Sequence, residues 1–462
     1  VLVLLKRFEA ALTPLQKAIQ LAPRHARSWA RLGNALRHLD RAEEALGYLE
    51  RAVELEPDYA WAWNELGAVC EALGQPEEAL AAYARAAEID PDNALYLYNQ
   101  ADSLIVFRRN EEAQALLERA VAINPLHNRA WAKLGQVFRR LGRHEEALAA
   151  YDRALQIDDR YAWAWNGRGL TYSAMGDHER ALDCFQRAAE EDPRDVWFWY
   201  NQGDALVILH RYEEALGPLD RALALNNQHI ESWAKKGQCL RRLGRHKEAV
   251  VAYDQALAVD PHYAWAWNGR GLALDGMGRR EEALASFERA VQEDPTGLWY
   301  YTNQLDPLLD LRRYEQALEV VDRALAVSQD SANVWARRGQ ILRRLKQPAE
   351  AITSYQEAIR RDPAYAWAYN GLGLAYAALE RWEEALECYE RATHYNGGDV
   401  WFWHNRGEAL IALGRYEEAV EVLNQALHLN PQHEAARAKR TEARRLWQAQ
   451  QQDGPDAPRD SR

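Results

Sequence analysis

The chain holds 462 residues, with 57 Lys+Arg against 69 Asp+Glu and a formal net charge of −12. Ala, Leu, Arg and Glu dominate while Phe, Met and Cys are scarce, which suits one long helical array better than the roughly three domains such a length would suggest. The acidic balance argues against whole-chain attraction to nucleic-acid phosphates or anionic membranes.

The sequence starts at Val1 rather than Met, as a fragment, a processed start or a non-Met initiation codon would leave it. Its longest apolar runs, such as residues 1–5, fall far short of a membrane span, and no complete secretory signal can be read. Cys70, Cys184, Cys239 and Cys388 are widely separated with no Cys-x-x-Cys pair. Neither a disulfide framework nor a zinc knuckle is indicated, so a reducing, cytoplasmic compartment is the default expectation.

Alanine recurs every 34 residues from Ala11 through Ala45, Ala79, Ala113 and Ala147 to Ala419, and a second set runs from Ala18 to Ala426. Glycines (Gly33, Gly135, Gly237, Gly339) and prolines (Pro23, Pro125, Pro261, Pro431) keep the same register. Residues 1–433 therefore divide into thirteen tandem units, the first truncated. Each predicts a helix, a short turn often holding Gly (Gly74, Gly142, Gly176, Gly244, Gly278) and an antiparallel helix that Pro at the thirty-second place ends. Small residues at places eight, twenty and twenty-seven let helices approach closely. Trp at the fourth place and Tyr, Phe or Leu at the twenty-fourth fill the space between, each worth roughly 1.5–3 kcal/mol when fully buried. Units that bury their faces only on neighbours stack as a solenoid. Residues 434–452 continue as a charged capping helix, and 453–462, with Gly454, Pro455 and Pro458, predict a disordered tail.

The run Trp131-x-x-Leu134-Gly135-x-x-Phe138, followed by Ala147-x-x-x-Tyr151 and Ala154, resembles the signature of the tetratricopeptide repeat family. The resemblance extends over residues 1 to about 433. It implies an all-α, right-handed superhelical α-solenoid whose first helices line a concave groove.

A longer period of 102 residues, three repeats, overlies the shorter one. Type one begins at Trp29, Trp131, Trp233 and Trp335; type two at Tyr59, Tyr161, Tyr263 and Tyr365; type three at Leu95, Trp197, Trp299 and Trp401. Duplication of a three-repeat cassette explains the recurrence, so its chemistry is a separate matter. Places two, five or six, and nine share one helix face, and in the resembling family that face lines the groove. Mapped there are Asn64, Asn166, Asn268 and Asn370 of type two and Asn99, Asn201, Asn303 and Asn405 of type three. Carboxamides carry donors and an acceptor, and so pair with an extended peptide backbone without reading its side chains. Satisfying neighbouring helix ends, or simply facing water, is the competing use.

The second place carries Trp61, Trp163, Trp265 and Trp367 in type two and Trp197, Trp299 and Trp401 in type three. Two placements are open for these indoles: an apolar shelf on the groove, or packing across the joint between repeats. Type one places Arg31, Lys133, Lys235 and Arg337 at the sixth place, Gln136, Gln238 and Gln340 at the ninth, and Arg139–Arg140, Arg241–Arg242 and Arg343–Arg344 beyond. Guanidinium forks suit carboxylates and phosphates, which makes an acidic segment a candidate guest. Asp102, Asp204, Asp306 and Glu408 of type three are the intramolecular alternative. Family members that grip acidic chaperone tails use Lys at the fifth place, where type one has Ala30, Ala132, Ala234 and Ala336.

The sequence shows no phosphate loop, no His-Glu-x-x-His and no Gly-x-Ser-x-Gly. The leading expectation is a non-enzymatic scaffold without cofactor, monomeric by default, that binds extended segments of partner proteins. Single-stranded nucleic acid, held by Arg pairs and groove Trp, is the runner-up, against which the net charge argues. The recognition half of a larger enzyme is the third reading.

Overall fold

The computed structural model describes Val3 and residues 6–452. Among the described residues there are 26 α-helices and no strand. A single helix, Phe8–Leu21, is followed by twelve hairpins and then by the 19-residue helix Glu434–Gln452. The predicted tail, 453–462, lies outside the described residues.

The repeat spanning Asn128–Arg140 and His144–Ile157 shows how the local sequence builds each hairpin. Gly142 ends the first helix at φ +75°, in the left-handed region, and a Cβ there would meet nothing. Glycine is suited to that position by its dihedral rather than by space. The Arg143 amide then donates back to the Phe138 carbonyl at 2.9 Å, closing the helix end. Asp40, Arg108, His210, Arg312, Lys346 and Glu380 adopt the same left-handed turn without glycine.

Between the helices Tyr151, 1% exposed, fills the predicted gap. Its ring lies between two glycines: a Cβ on Gly135 of its own repeat would stand 3.0 Å from it, and one on Gly167 of the next repeat 2.5 Å. Fourth-place indoles seal the loop side. Trp131 Nε1 donates to the Pro125 carbonyl at 3.0 Å, and Trp29, Trp63, Trp165, Trp199, Trp233, Trp267, Trp335 and Trp403 make the same bond six residues back.

The chain forms two compact units, Val1–Lys235 and Lys236–Arg462, and the division falls inside the helix Ile230–Arg242. In each unit successive helices pack in chain order as an α-solenoid, and first helices also touch the first helix of the next repeat. In the second unit Glu434–Gln452 packs on the two preceding helices as a further first helix would. Arg437 stands at the tryptophan's place there and donates to the Pro431 carbonyl at 2.6 Å.

His127 caps the helix Asn128–Arg140 by accepting the Ala130 amide at its Nδ1, 3.2 Å away. Burial holds its pKa below the ordinary 6.5. The unfolded chain then binds the extra proton first, so this contribution is present above about pH 6.5 and is lost as the pH falls through 6.5 toward the folded value. The protection factor of the Ala130 amide, its exchange rate corrected for the intrinsic pH trend, should fall on acidification across that window. A His127→Asn variant should lack that extra response.

Candidate functional site

On the shared face of the first helices, polar side chains link each repeat to the next. Asn99 Nδ2 donates to Asn64 Oδ1 at 2.6 Å and Asn201 to Asn166 at 2.8 Å in the first unit. Asn303 donates to Asn268 and Asn405 to Asn370, each at 2.8 Å, in the second. The eight asparagines are therefore four pairs rather than eight free carboxamides. Asn64, Asn268, Asn370 and Asn405 are buried, and Asn99, Asn166, Asn201 and Asn303 half-buried. Each pair uses one donor and one acceptor, which leaves every member part of its hydrogen-bonding capacity.

Pairing has an energetic signature. Asn370→Ala or Asn405→Ala leaves a buried carboxamide without its partner and should cost about 1–3 kcal/mol, whereas removing both leaves no orphaned amide and should cost less than either alone. A double-mutant cycle by urea denaturation measures the coupling; strict additivity would mean the two side chains act independently.

The joint from type three to type one is ionic. Lys133 Nζ lies 2.5 Å from Asp102 Oδ1 and Lys235 Nζ 2.5 Å from Asp204 Oδ1. Arg337 reaches Asp306 through two bonds of 2.8 and 3.3 Å, and Lys439 reaches Glu408 at 3.1 Å. Of the sixth-place residues expected to face an acidic guest, Lys133, Lys235 and Arg337 are thus closed by the acid of the preceding repeat, the intramolecular alternative, while Arg31 carries no ion pair among the described residues. These pairs are partly exposed, so each contributes modestly to stability.

At the joint from type one to type two, Lys133 Nζ lies 5.2 Å from the Trp163 ring centroid and the Arg337 guanidinium 6.0 Å from that of Trp367, within cation–π range. Trp163 is half-buried between Tyr151 and Tyr161, and Trp265 packs in the same way with Tyr253 and Tyr263. The type-two indoles therefore occupy repeat joints rather than an open shelf.

Arg140 also turns inward. Its Nη1 donates to the Ile105 carbonyl at 2.8 Å, near the C-terminal end of the helix Ala94–Val106, instead of standing free for a carboxylate or phosphate. Burial lowers its pKa. Its neighbour Arg139 lies beside the Tyr151 hydroxyl, whose pKa burial pushes up to about 12. Arg242 is exposed, and Arg344 lines a polar cleft of about 550 Å³ with Asp306, Asp310, Arg312, Tyr314 and Gln340. Gln340 accepts from Arg337 at 3.2 Å, while the carboxamide oxygens of Gln136 and Gln238 are buried without a partner.

The type-three indoles differ from the rest. Trp197, Trp299 and Trp401 are 51–55% exposed, and Leu95 holds the same place at 48%. His229 meets Trp197 at 4.7 Å between centroids and 82°, and His433 meets Trp401 at 4.6 Å and 82°. Sequence reasoning passed over these histidines. Their signal was present: His127, His229 and His433 all close a type-three repeat.

Among the described residues no group of three or more His, Cys, Asp or Glu could hold a metal ion. Cys184 and Cys388 are buried free thiols, pushed up to about 11 and about 12 by burial, which disfavours the reactive thiolate. No helix among the described residues is long and apolar enough to cross a membrane.

Four family models match the chain. Three described as tetratricopeptide repeat cover residues 24–92 and 126–194, 166–230 and 370–434, and 264–296; one described as TPR repeat covers 237–278 and 339–380. No curated protein matches. Among solved structures, YrrB, titled a TPR protein with an unusual peptide-binding site, is 28% identical over 39% of this chain and 92% of its own, with a TM-score of 0.36. MamA from Desulfovibrio magneticus RS-1 is 24% identical over 36% of this chain and 95% of its own, at 0.34. The Cut9 and Hcn1 hetero-tetramer of the APC/C is 12% identical over 96% of this chain and 94% of the matched one, at 0.44.

Proposed function

Because this chain belongs to the tetratricopeptide repeat family, whose arrays serve as protein–protein interaction scaffolds, we propose that it binds extended segments of partner proteins along the face its first helices share. The observation that carries this reading is the recurrence of one amide pair per cassette at the same joint, Asn64 with Asn99 through Asn370 with Asn405. Each pair is held in place by its own hydrogen bond and retains donors and an acceptor for a strand running past it. Ordering the amides beforehand lowers the entropy a guest must overcome.

On this reading the chain acts without catalysis or cofactor, as a cytoplasmic monomer, and affinity is the sum of many weak contacts. A guest carboxylate would turn to Arg31, Arg242 and Arg344, which carry no ion pair among the described residues, because Lys133, Lys235 and Arg337 are already neutralised. Retention of proteins from nuclease-treated lysate by the intact chain, and their loss from a variant with Asn166, Asn201, Asn268 and Asn303 all changed to Ala, tests the reading. Retention unaffected by the four changes would discard the amide face. Nucleic acid co-purifying without nuclease, whatever the state of the asparagines, would put an arginine and indole surface in its place.

A further inference from the structure

The first cassette and its successors differ at the joint from type one to type two. In the first, Glu65 is 8% exposed and sets its carboxylate against the preceding repeat's first helix. Its Oε2 accepts from Asn34 Nδ2 at 2.5 Å and from Arg37 Nε and Nη2 at 3.3 and 3.1 Å. Asn34 and Arg37 stand at the ninth and twelfth places of type one, which hold Gln136 and Arg139 in the second cassette and Gln340 and Arg343 in the fourth. Gly167 and Gly371 take the place of Glu65 there.

The exchange leaves a cation uncompensated. Tyr151 and Tyr355 stand where the first cassette has Leu49, and their rings fill the room of the Glu65 stem, since a Cβ on Gly167 or Gly371 would collide with them. A neutral phenol thus replaces a carboxylate beside each guanidinium. Arg139 with Arg140, and Arg343 with Arg344, act on that hydroxyl and hold back the rise in pKa that burial imposes. Arg139 and Arg343 are half-buried with their Nε atoms enclosed and without an acceptor, and no carboxylate among the described residues bonds to either.

The acids that face these arginines are already engaged. Asp102 is held by Lys133, Asp306 by Arg337, Asp310 by Arg280 and Glu408 by Lys439. Arg108 adds positive charge beside Arg140, and Arg312 beside Arg344. The twelfth place of the following type-two repeat is neutral in both cassettes, Ser173 and Ala377, but acidic in the first and third, Glu71 and Asp275. That acid sets the third cassette's Gln238 and Arg241 apart from the other two pairs.

We propose that Gln136 with Arg139, and Gln340 with Arg343, each receive an Asp or Glu side chain of an extended partner segment, in the role Glu65 fills from within the first cassette. This refinement rests on the peptide-binding reading above. A guanidinium and a carboxamide offer donors to one carboxylate, and the guanidinium bonds are charge-assisted. Glu65 marks the ligand as a carboxylate, because the same two side-chain groups at the same two places already bind one.

The test uses the full chain and a fluorescent decaglutamate blocked at both ends, with decaglutamine, inorganic phosphate and an oligothymidylate as comparisons. By anisotropy, decaglutamate should bind more tightly than decaglutamine and weaken with added salt. Arg139→Gln with Arg343→Gln should weaken it roughly tenfold, as one lost charge-assisted hydrogen bond at each site requires. Arg51→Gln with Arg289→Gln, the same charge change on second helices, should not. Copying the first cassette, by Tyr151→Leu with Gly167→Glu and Tyr355→Leu with Gly371→Glu, should weaken it as much while both arginines remain. Circular dichroism checks that each variant keeps its helicity.

Equal binding of decaglutamine overturns the carboxylate preference and leaves the amide face standing. Decaglutamate affinity unchanged by the arginine exchange or by the copied carboxylates, an equal loss in the Arg51 and Arg289 control, or no decaglutamate binding at all each overturns the proposal. Tighter binding of phosphate or oligothymidylate with the same dependence on Arg139 and Arg343 overturns it in favour of a phosphate ligand. The lysate comparison with the four-asparagine variant still judges the broader reading in those cases.

Discussion

Replacing Gly167 with Ala should destabilise the first unit by about 1–3 kcal/mol, although Gly to Ala in an unobstructed helix interior stabilises by roughly 1 kcal/mol. The sign reverses because the added Cβ would stand 2.5 Å from the ring of Tyr151. That ring is 1% exposed and already faces Gly135 on its other side, so it cannot withdraw without displacing a neighbouring helix. Gly47 supplies the control from within the same unit. It lies inside the helix Ala42–Leu55, and a Cβ there would meet nothing within 4 Å. Urea denaturation should place the Gly167→Ala midpoint below that of the parent and the Gly47→Ala midpoint above it. If both rise, the ring does not occupy the space between the two first helices.

Changing Asn166, Asn201, Asn268 and Asn303 together to Ala should weaken binding of an extended partner segment by about 4 kcal/mol, roughly a thousandfold, if each amide gives the guest one hydrogen bond of about 1 kcal/mol. The four residues are two complete pairs, Asn201 with Asn166 and Asn303 with Asn268. Removing both partners leaves no orphaned amide, so helicity and melting should stay close to the parent's. Removing Asn201 alone strands the Asn166 oxygen and mixes a folding defect with a binding defect. Calorimetric titration of a retained partner's segment, with thermal melts of the same samples, separates the two. Parental affinity in the fourfold variant would show that the amides serve only each other.

Helix type and turn positions were legible because they depend on short-range spacing. The 34-residue recurrence of Ala, Gly and Trp shows which places need small residues and which need large ones, and the helices follow it from Phe8–Leu21 to Tyr416–Leu429. The turns were readable where glycine marks them, as at Gly142, and less so at Arg108 or His210, where another residue adopts the left-handed angle. The fourth-place tryptophan was readable as core. That its N–H closes on a carbonyl six residues earlier was not, because the bond depends on how the loop folds back over the indole.

The candidate site divides differently. Sequence placed the asparagines, the basic residues and the indoles on one face, since helical spacing alone decides which side chains share it. Spacing within a helix cannot decide which of them reach across to the next repeat. Asn64 and Asn99 are 35 residues apart and Asp102 and Lys133 31, and whether their side chains meet depends on the separation and rotation of adjacent first helices. Those are set by the glycines and by the Tyr151 class of ring wedged between them. The same packing sorts one residue type at one repeat place into two roles: Trp163 lies against Tyr151 at a joint, while Trp197 is left half-exposed beside His229. Sequence by itself determined the periodic fold and the composition of the face. Only tertiary packing decided which of its groups are already paired and which remain open to a partner, because an internal pair depends on distances between repeats that no single repeat encodes.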